Sequence, residues 1–251
     1  MPELSVIVVT LKPPDEILCV PEFKKSDFDD YELIIRQDEG ISTARNEGIA
    51  EASSDKIVFI DDDAVPTEGY LQAAASVLDE EDAVVGRIIH PGSGVISKLA
   101  SPYYPDGDEG EYVPFVIGCN MAFRREVFET VGYFDEKFNW GHEEMELSER
   151  ISDEYSIYYE PSMCVIHAYA EGILDYWRTR YRFGPADIHR SRQRGLSEWE
   201  ILLETFHPKW YFHPVLPVLP VAAIGGLIEN VSRLRTLYRE QAAGTGTSPT
   251  S

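Results

Sequence analysis

Short apolar runs rich in valine and isoleucine recur through the first two thirds of the chain, at residues 4–9, 33–35, 57–60, 83–89, 115–119 and 156–159. Hydrophobicity within them is continuous rather than alternating, which predicts strands covered on both faces and hence a largely parallel sheet. Helical patterns fit residues 42–52, 69–79, 124–131 and 143–153 between these runs. The predicted class is therefore α/β, a mostly parallel sheet flanked by helices. Residues 90–114, HPGSGVISKLASPYYPDGDEGEYVP, break the alternation with glycine, proline and acids and read as a long functional or mobile loop. There is no internal repeat.

Beyond about residue 172 the character changes to long basic helices with aromatics, DYWRTRYRFG and IHRSRQRG, followed by YFHPVLPVLPVAAIGGLIENV. Tyr211 to Ile228 is nearly long enough to span a bilayer, but Pro214, Pro217 and Pro220 interrupt it and both flanks are basic. An interfacial or re-entrant segment fits better than a crossing; the ordinary reading is a buried helix. The predicted organisation is a catalytic-type domain over 1–172, a basic and apolar helical, membrane-associating extension over 173–240, and a disordered polar tail over 241–251.

Composition refines this picture. At 251 residues and 43% apolar content the chain can bury one substantial core. The net charge of −22 argues against nucleic acid as a partner, but it is unevenly spread: residues 1–175 hold 12 basic against 38 acidic side chains, residues 176–251 hold 10 against 6. So acidic a surface predicts adaptation to high salt, where screening makes self-repulsion tolerable. Cys19, Cys119 and Cys164 lack metal-type spacing and read as free thiols in a reducing compartment. The start MPELSVIVVTLK has no basic leader, which predicts a cytoplasmic protein, peripheral or monotopic at the membrane face.

The chemistry begins at KIVFIDDDAVP, residues 56–66, where three carboxylates follow directly on an apolar run. Ligands of open α/β sheets bind beyond the carboxyl ends of the strands, and Asp61 is the first residue past IVFI. Extended geometry puts Asp61 and Asp63 on one side and Asp62 on the other. Paired oxygen donors there suit Mg²⁺ or Mn²⁺ with substrate phosphates; the ordinary alternative is chance clustering in a chain with 44 acids. In GISTARNEGIAEA, helical phasing puts Arg45 within the apolar stripe, so it needs an anionic partner, either a ligand or a cluster aspartate. In GHEEMELSERI, Glu144 shares a face with Leu147, Ser148 and Ile151, whereas Glu143, Glu146 and Arg150 gather on another. A carboxylate on the buried side has its pKa raised, as suits a general base near neutral pH.

FIDDDAVP resembles the D-x-D-type motif of the inverting family-2 glycosyltransferases, which have the GT-A nucleotide-sugar-binding fold. SVIVVTLK is similar to that family's first strand, GISTARNEGIAEA to the helix before the D-x-D strand, and VIGCNMAFRREVFETVGYFDEKFNWGHEEMELSERI to the acceptor-side segment. The likeness spans about residues 4–170. It implies a sugar nucleotide donor held by Thr10, Asp38, Arg45, Asp61 and Asp62; a divalent metal on Asp63 and Asp61, with His167 as a further ligand; Glu144 as catalytic base; and acceptor contacts from Trp140 and Glu143. Read from the residues alone, His167 and Trp140 are equally explicable as core or loop side chains, and Gly118 as a point of backbone approach to a ligand. With the basic extension, the resemblance implies a polyprenyl-phosphate-linked acceptor, in surface glycan assembly or protein glycosylation. One departure is that YELIIRQDEG runs straight into ISTARN, without the usual acidic turn that reads the nucleotide base, leaving Asp38 or Glu39 as its substitute. The competing classes are a nucleotidyltransferase, for which VVTLKPPDE lacks a glycine-rich phosphate loop, and a non-catalytic sugar-nucleotide or membrane-binding module.

Overall fold

In the computed structural model, which describes residues 1–208 and 212–245, the chain runs β1 (Leu4–Val9), α1 (Cys19–Phe23), β2 (Tyr31–Arg36), α2 (Ile41–Glu51), β3 (Lys56–Asp61), β4 (Val65–Pro66), α3 (Tyr70–Val77), β5 (Ala83–Ile89), α4 (Val95–Ala100), β6 (Glu111–Val113), β7 (Asn120–Arg124), α5 (Arg125–Val131), α6 (Glu143–Ile151), β8 (Ile157–Ile166), α7 (Ile173–Gln193), α8 (Glu198–Thr205) and α9 (Leu219–Thr245). The strands form one sheet in the order β2-β1-β3-β7-β5-β8-β4, with β6 on β8.

Alternate residues of the central strands explain their unbroken hydrophobicity. Val6, Val8, Val58 and Ile60 enter a core shared with Cys19, Phe23, Leu71, Ala74 and Leu78 from α1, α3 and the residue after α3. Ile7, Ile57 and Phe59 face the other way, against Ile49, Val127, Phe128, Leu147 and Ile151 from α2, α5 and α6. Neither face of β1 or β3 meets water, so both sides are apolar, and each fully buried large side chain contributes about 1.5–3 kcal/mol. Arg125 closes the second layer: its guanidinium donates to the carbonyls of Ile49, Ala52 and Ser54 at the end of α2.

The parallel expectation holds for β2-β1-β3 and for β5 with β8. It does not hold at the centre, where β7 runs antiparallel to both β3 and β5, nor for β4 and β6 on β8. The sheet is therefore mixed. The strand expected at 115–119 begins instead at Asn120. The amide of Val116 is taken by Ser148 Oγ, the carbonyl of Gly118 accepts from Arg45, and the Asn120 amide turns back onto Ile117, so these groups are withdrawn from a ladder before Asn120.

Residues 90–114 are more structured than their composition implies, containing α4 and β6. They are also where the carboxyl-terminal helices dock. Ile96 and Leu99 of α4 pack with Ala170, Tyr176, Val218 and Ala222, and His213 Nε2 lies 3.1 Å from the Leu99 carbonyl oxygen. α7 and α9 cross closely: a Cβ on Gly184 would lie 2.5 Å from Ser232, and one on Gly225 would lie 2.8 Å from the Tyr176 ring. α9 continues to Thr245, into the stretch expected to be disordered, and residues 246–251 lie outside the described residues. Of the apolar segment 211–228, Tyr211 also lies outside them; the rest forms an irregular stretch, a short 3-10 turn and the start of α9. No described helix is long and apolar enough to cross a membrane.

Candidate active site

β1 and β3 end side by side, with Val9 paired to Asp61, and the chain then turns, the amide of Ala64 donating back to the Asp61 carbonyl at 3.1 Å. The turn divides the triplet. Asp62 is directed to β1, where it accepts from Thr10 Oγ1 and pairs with Lys12 Nζ at 2.7 Å. Asp63 Oδ1 lies 3.2 Å from His167 Nε2, and Asp61 Oδ2 lies 3.9 Å from the same nitrogen. His167 reaches this point because β8 ends at Ile166, paired with Ile89, and the His167 amide then donates to the Ile89 carbonyl at 3.0 Å.

The electrostatics follow from this crowding. Burial favours a neutral imidazole, but Cys119, Asp63 and Asp61 together outweigh it and hold His167 up at about 11. Asp61, although its side chain is 38% exposed, is raised by desolvation that His167 and Arg45 only partly offset. For Asp63 the balance falls the other way, since its bond to His167 overcomes the burial effect and lowers it. A cation is thus favoured among these acids, either the proton on His167 or a metal ion that displaces it.

Arg45 is 2% exposed and has carboxylate partners within the chain. Its Nη1 donates to Glu143 Oε1 at 2.5 Å, and its Nη2 donates to the Gly118 carbonyl at 3.1 Å and lies 3.9 Å from Asp61 Oδ1. Phe134 and Phe59 flank the guanidinium at 5.4 and 5.9 Å from their centroids. Gly118 makes room for this arginine, because a Cβ there would lie 2.9 Å from Nη2.

The α6 acids are arranged differently from the sequence expectation. Glu143 is buried against Arg45 and not grouped with Glu146 and Arg150, which pair with each other at 2.7 Å. α6 begins at Glu143 behind His142, whose φ of 66° is the one positive value among described non-glycine residues, so Glu143 lies one helical turn before buried Leu147. Glu144 is half-buried, and desolvation together with the Glu143 charge pushes it up to about 7.

Two further candidate site residues are already engaged within the chain. Asp38 is engaged by Arg36 at 2.8 and 3.0 Å, which holds its carboxyl down. Trp140 carries the Arg182 guanidinium over its ring at 4.1 Å and the Phe183 ring at 5.1 Å, so a sugar stacking on that face would have to displace Arg182. Lys12 and Cys119 carried no signal in the sequence, since neither stands in a charged or metal-type pattern.

The donor set can be tested for metal fit. His167 Nδ1 is buried without a hydrogen-bond partner. Ligand atoms of Asp61, Cys119 and His167 lie within 4.8 Å of one another. Burial raises the Cys119 thiol, and sulfur is a softer donor than a carboxylate oxygen, so the adjacent Asp63 carboxylate is the better third group for a hard ion. Two carboxylates and an imidazole fit a divalent ion of the Mn²⁺ type.

A curled mixed sheet with helices on both faces and acids at the end of β3 defines a GT-A-type glycosyltransferase fold. Residues 19–132 match the family model described as Glycosyl transferase family 2. The curated uncharacterized glycosyltransferase YwdF of Bacillus subtilis (strain 168) is 22% identical over 149 residues, covering 55% of this chain. The chain spans about half of that relative, 53% of its length. Among solved structures, the mannosyltransferase PcManGT from Pyrobaculum calidifontis, in complex with GDP-Man and Mn²⁺, matches with a TM-score of 0.53 at 15% identity, over 99% of this chain and 76% of that one.

Proposed function

We propose that this chain is an inverting glycosyltransferase that moves a sugar from a nucleoside-diphosphate sugar to a hydroxyl of a lipid-linked saccharide. The observation that carries the reading is the bridge Glu143–Arg45–Asp61, which links the helix bearing Glu144 to the acids at the end of β3. Asp63, Asp61 and His167 would hold a divalent ion, Mn²⁺ or Mg²⁺, which when bound neutralises the diphosphate leaving group. PcManGT, with Mn²⁺ and GDP-Man in its structure, supports this assignment. Thr10 and Lys12 fix Asp62 at the donor side of the cleft, and Asp38 lies at the end of the neighbouring strand β2.

Glu144, with its carboxyl at about 7, is suited to take the acceptor hydroxyl proton. The oxygen then bonds to the anomeric carbon from the face opposite the diphosphate. The anomeric carbon–oxygen bond breaks with its electron pair on the departing nucleoside diphosphate, and configuration inverts. Work on a lipid carrier places the protein at the cytosolic face of a membrane, where sugar nucleotides are available.

The test is release of nucleoside diphosphate from a panel of sugar nucleotides, with Mn²⁺ and a lipid extract as acceptor source. Asp63→Ala and Glu144→Gln are each expected to lower transfer by about 100-fold or more. Both variants turning over like the parent would overturn the enzymatic reading and leave a binding module.

A further inference from the structure

The described arginines divide sharply. Arg36, Arg45, Arg87, Arg124, Arg125, Arg150, Arg180, Arg190, Arg192, Arg194 and Arg233 each have a carboxylate within ion-pair distance. Arg178, Arg182, Arg235 and Arg239 have no such partner among the described residues, in a chain with twice as many acids as bases. All four lie on α7 and α9. In so acidic a protein, basic side chains left without carboxylates on one face are set out for an anion from outside.

Two of them line a groove of about 520 Å³ between these helices, together with Leu174, Trp177, Tyr181 and Ile228, a volume within the range of small-molecule sites. The α7 residues stand at i, i+3, i+4, i+7 and i+8, which makes one continuous helical stripe. Such a stripe ordinarily packs inward, yet Leu174 is 67% exposed. The floor is held in place: Trp177 Nε1 donates to the Val221 carbonyl at 3.0 Å, and Arg235 Nη1 donates to Tyr181 Oη at 2.5 Å. One end of the groove lies against the segment that leads into α6, because Arg182 lies over Trp140.

We infer that this groove binds the lipid carrier of the acceptor, the isoprenoid chain along Leu174, Trp177, Tyr181 and Ile228 and its phosphate on Arg178 and Arg182. Apolar floor and unpaired guanidinium groups match the two halves of an isoprenoid phosphate. A saccharide carried on that phosphate would extend past Trp140 toward Glu144. The inference rests on the glycosyltransferase reading for its meaning, but not for its test.

The probe is farnesyl phosphate, titrated into the full chain without donor and followed by tryptophan fluorescence and calorimetry, with farnesol, inorganic phosphate and phosphatidylglycerol vesicles as parallel arms. Saturable binding of farnesyl phosphate is expected, at least tenfold tighter than farnesol or phosphate, and about tenfold weaker in Arg178→Ala and in Leu174→Asp. Nucleoside diphosphate binding with Mn²⁺ should be unchanged in both variants, which shows that they are folded. Equal binding by parent and variants would overturn the groove, as would binding of vesicles alone, the result for a face that merely adsorbs to an anionic membrane. Donor turnover that persists without farnesyl phosphate binding would overturn this inference and leave the transferase standing. Binding without any transfer would do the reverse.

Discussion

Glu144 concentrates the chemistry in one ionisation. Glu143 and desolvation raise it; His142 and Arg45 pull it down, and it also faces Tyr104 from the 90–114 segment. With the base form required, kcat/KM should fall about tenfold per pH unit below about 7 and level off above it. Glu144→Gln should be low and flat across that range. The same shift has a stability sign. The folded pKa lies above the ordinary 4.5, so ionising Glu144 opposes folding progressively from about 4.5 to about 7. Glu144→Gln should therefore raise Tm at pH 8 and leave it unchanged at pH 4, and an activity profile without an inflection near 7 would remove Glu144 as the base. Helical phasing put Glu144 on the buried side of α6, where it is half-buried. It misplaced Glu143, whose burial depends on Arg45, 98 residues earlier in the chain, and on a left-handed His142 that no residue type announces.

Among the elements, α6 is tied to the carboxyl-terminal helices by a chain of buried charge. His142 Nε2 lies 3.2 Å from Asp187 on α7, Asp187 pairs with Arg233 on α9 at 2.7 Å, and Arg233 and Arg180 both hold Glu229. Although burial opposes it, His142 and Arg233 hold the Asp187 carboxyl down at about 2. Its contribution to stability is thus fully present above the ordinary 3.8 and is lost as pH falls through about 2. Asp187→Ala leaves His142 and Arg233 short of a buried partner and should cost about 3–5 kcal/mol, read as a lower denaturation midpoint at pH 7. A midpoint equal to the parent's would mean that α7 does not hold α6 through this residue. The sequence reading separated residues 173–240 from the core because their charge and hydropathy differ. Composition along a chain carries no record of cross-packing such as Leu99 with His213 or His142 with Asp187. The antiparallel β7 was hidden for a similar reason: a buried central strand is apolar on both faces whichever way it runs.

The charge of the complete chain sets its response to salt. The excess of acids lies before residue 176, while Arg178, Arg182, Arg235 and Arg239 lie on the α7–α9 side, so the two parts differ in sign as well as in packing. Two effects of salt compete. Screening weakens the exposed ion pairs, each worth about 0–1 kcal/mol, and it relieves repulsion among acids that have no cation nearby. Half as many basic as acidic side chains are available, and the exposed pairs that do form, such as Arg87–Asp108 and Arg192–Glu240, leave most of the acidic surface uncompensated. The screening length shortens from about 10 Å at 0.1 M to about 3 Å at 1 M, within which only immediate neighbours still interact. Relief of repulsion should therefore dominate, and Tm should climb between 0.1 and 1 M NaCl and flatten beyond. Sucrose at matched osmolality, which is excluded from protein surfaces without screening charge, should reproduce only a small part of the rise. A Tm that falls with salt would mean that the ion pairs, and not the uncompensated acids, govern the surface, and the expectation of adaptation to high salt would go with it.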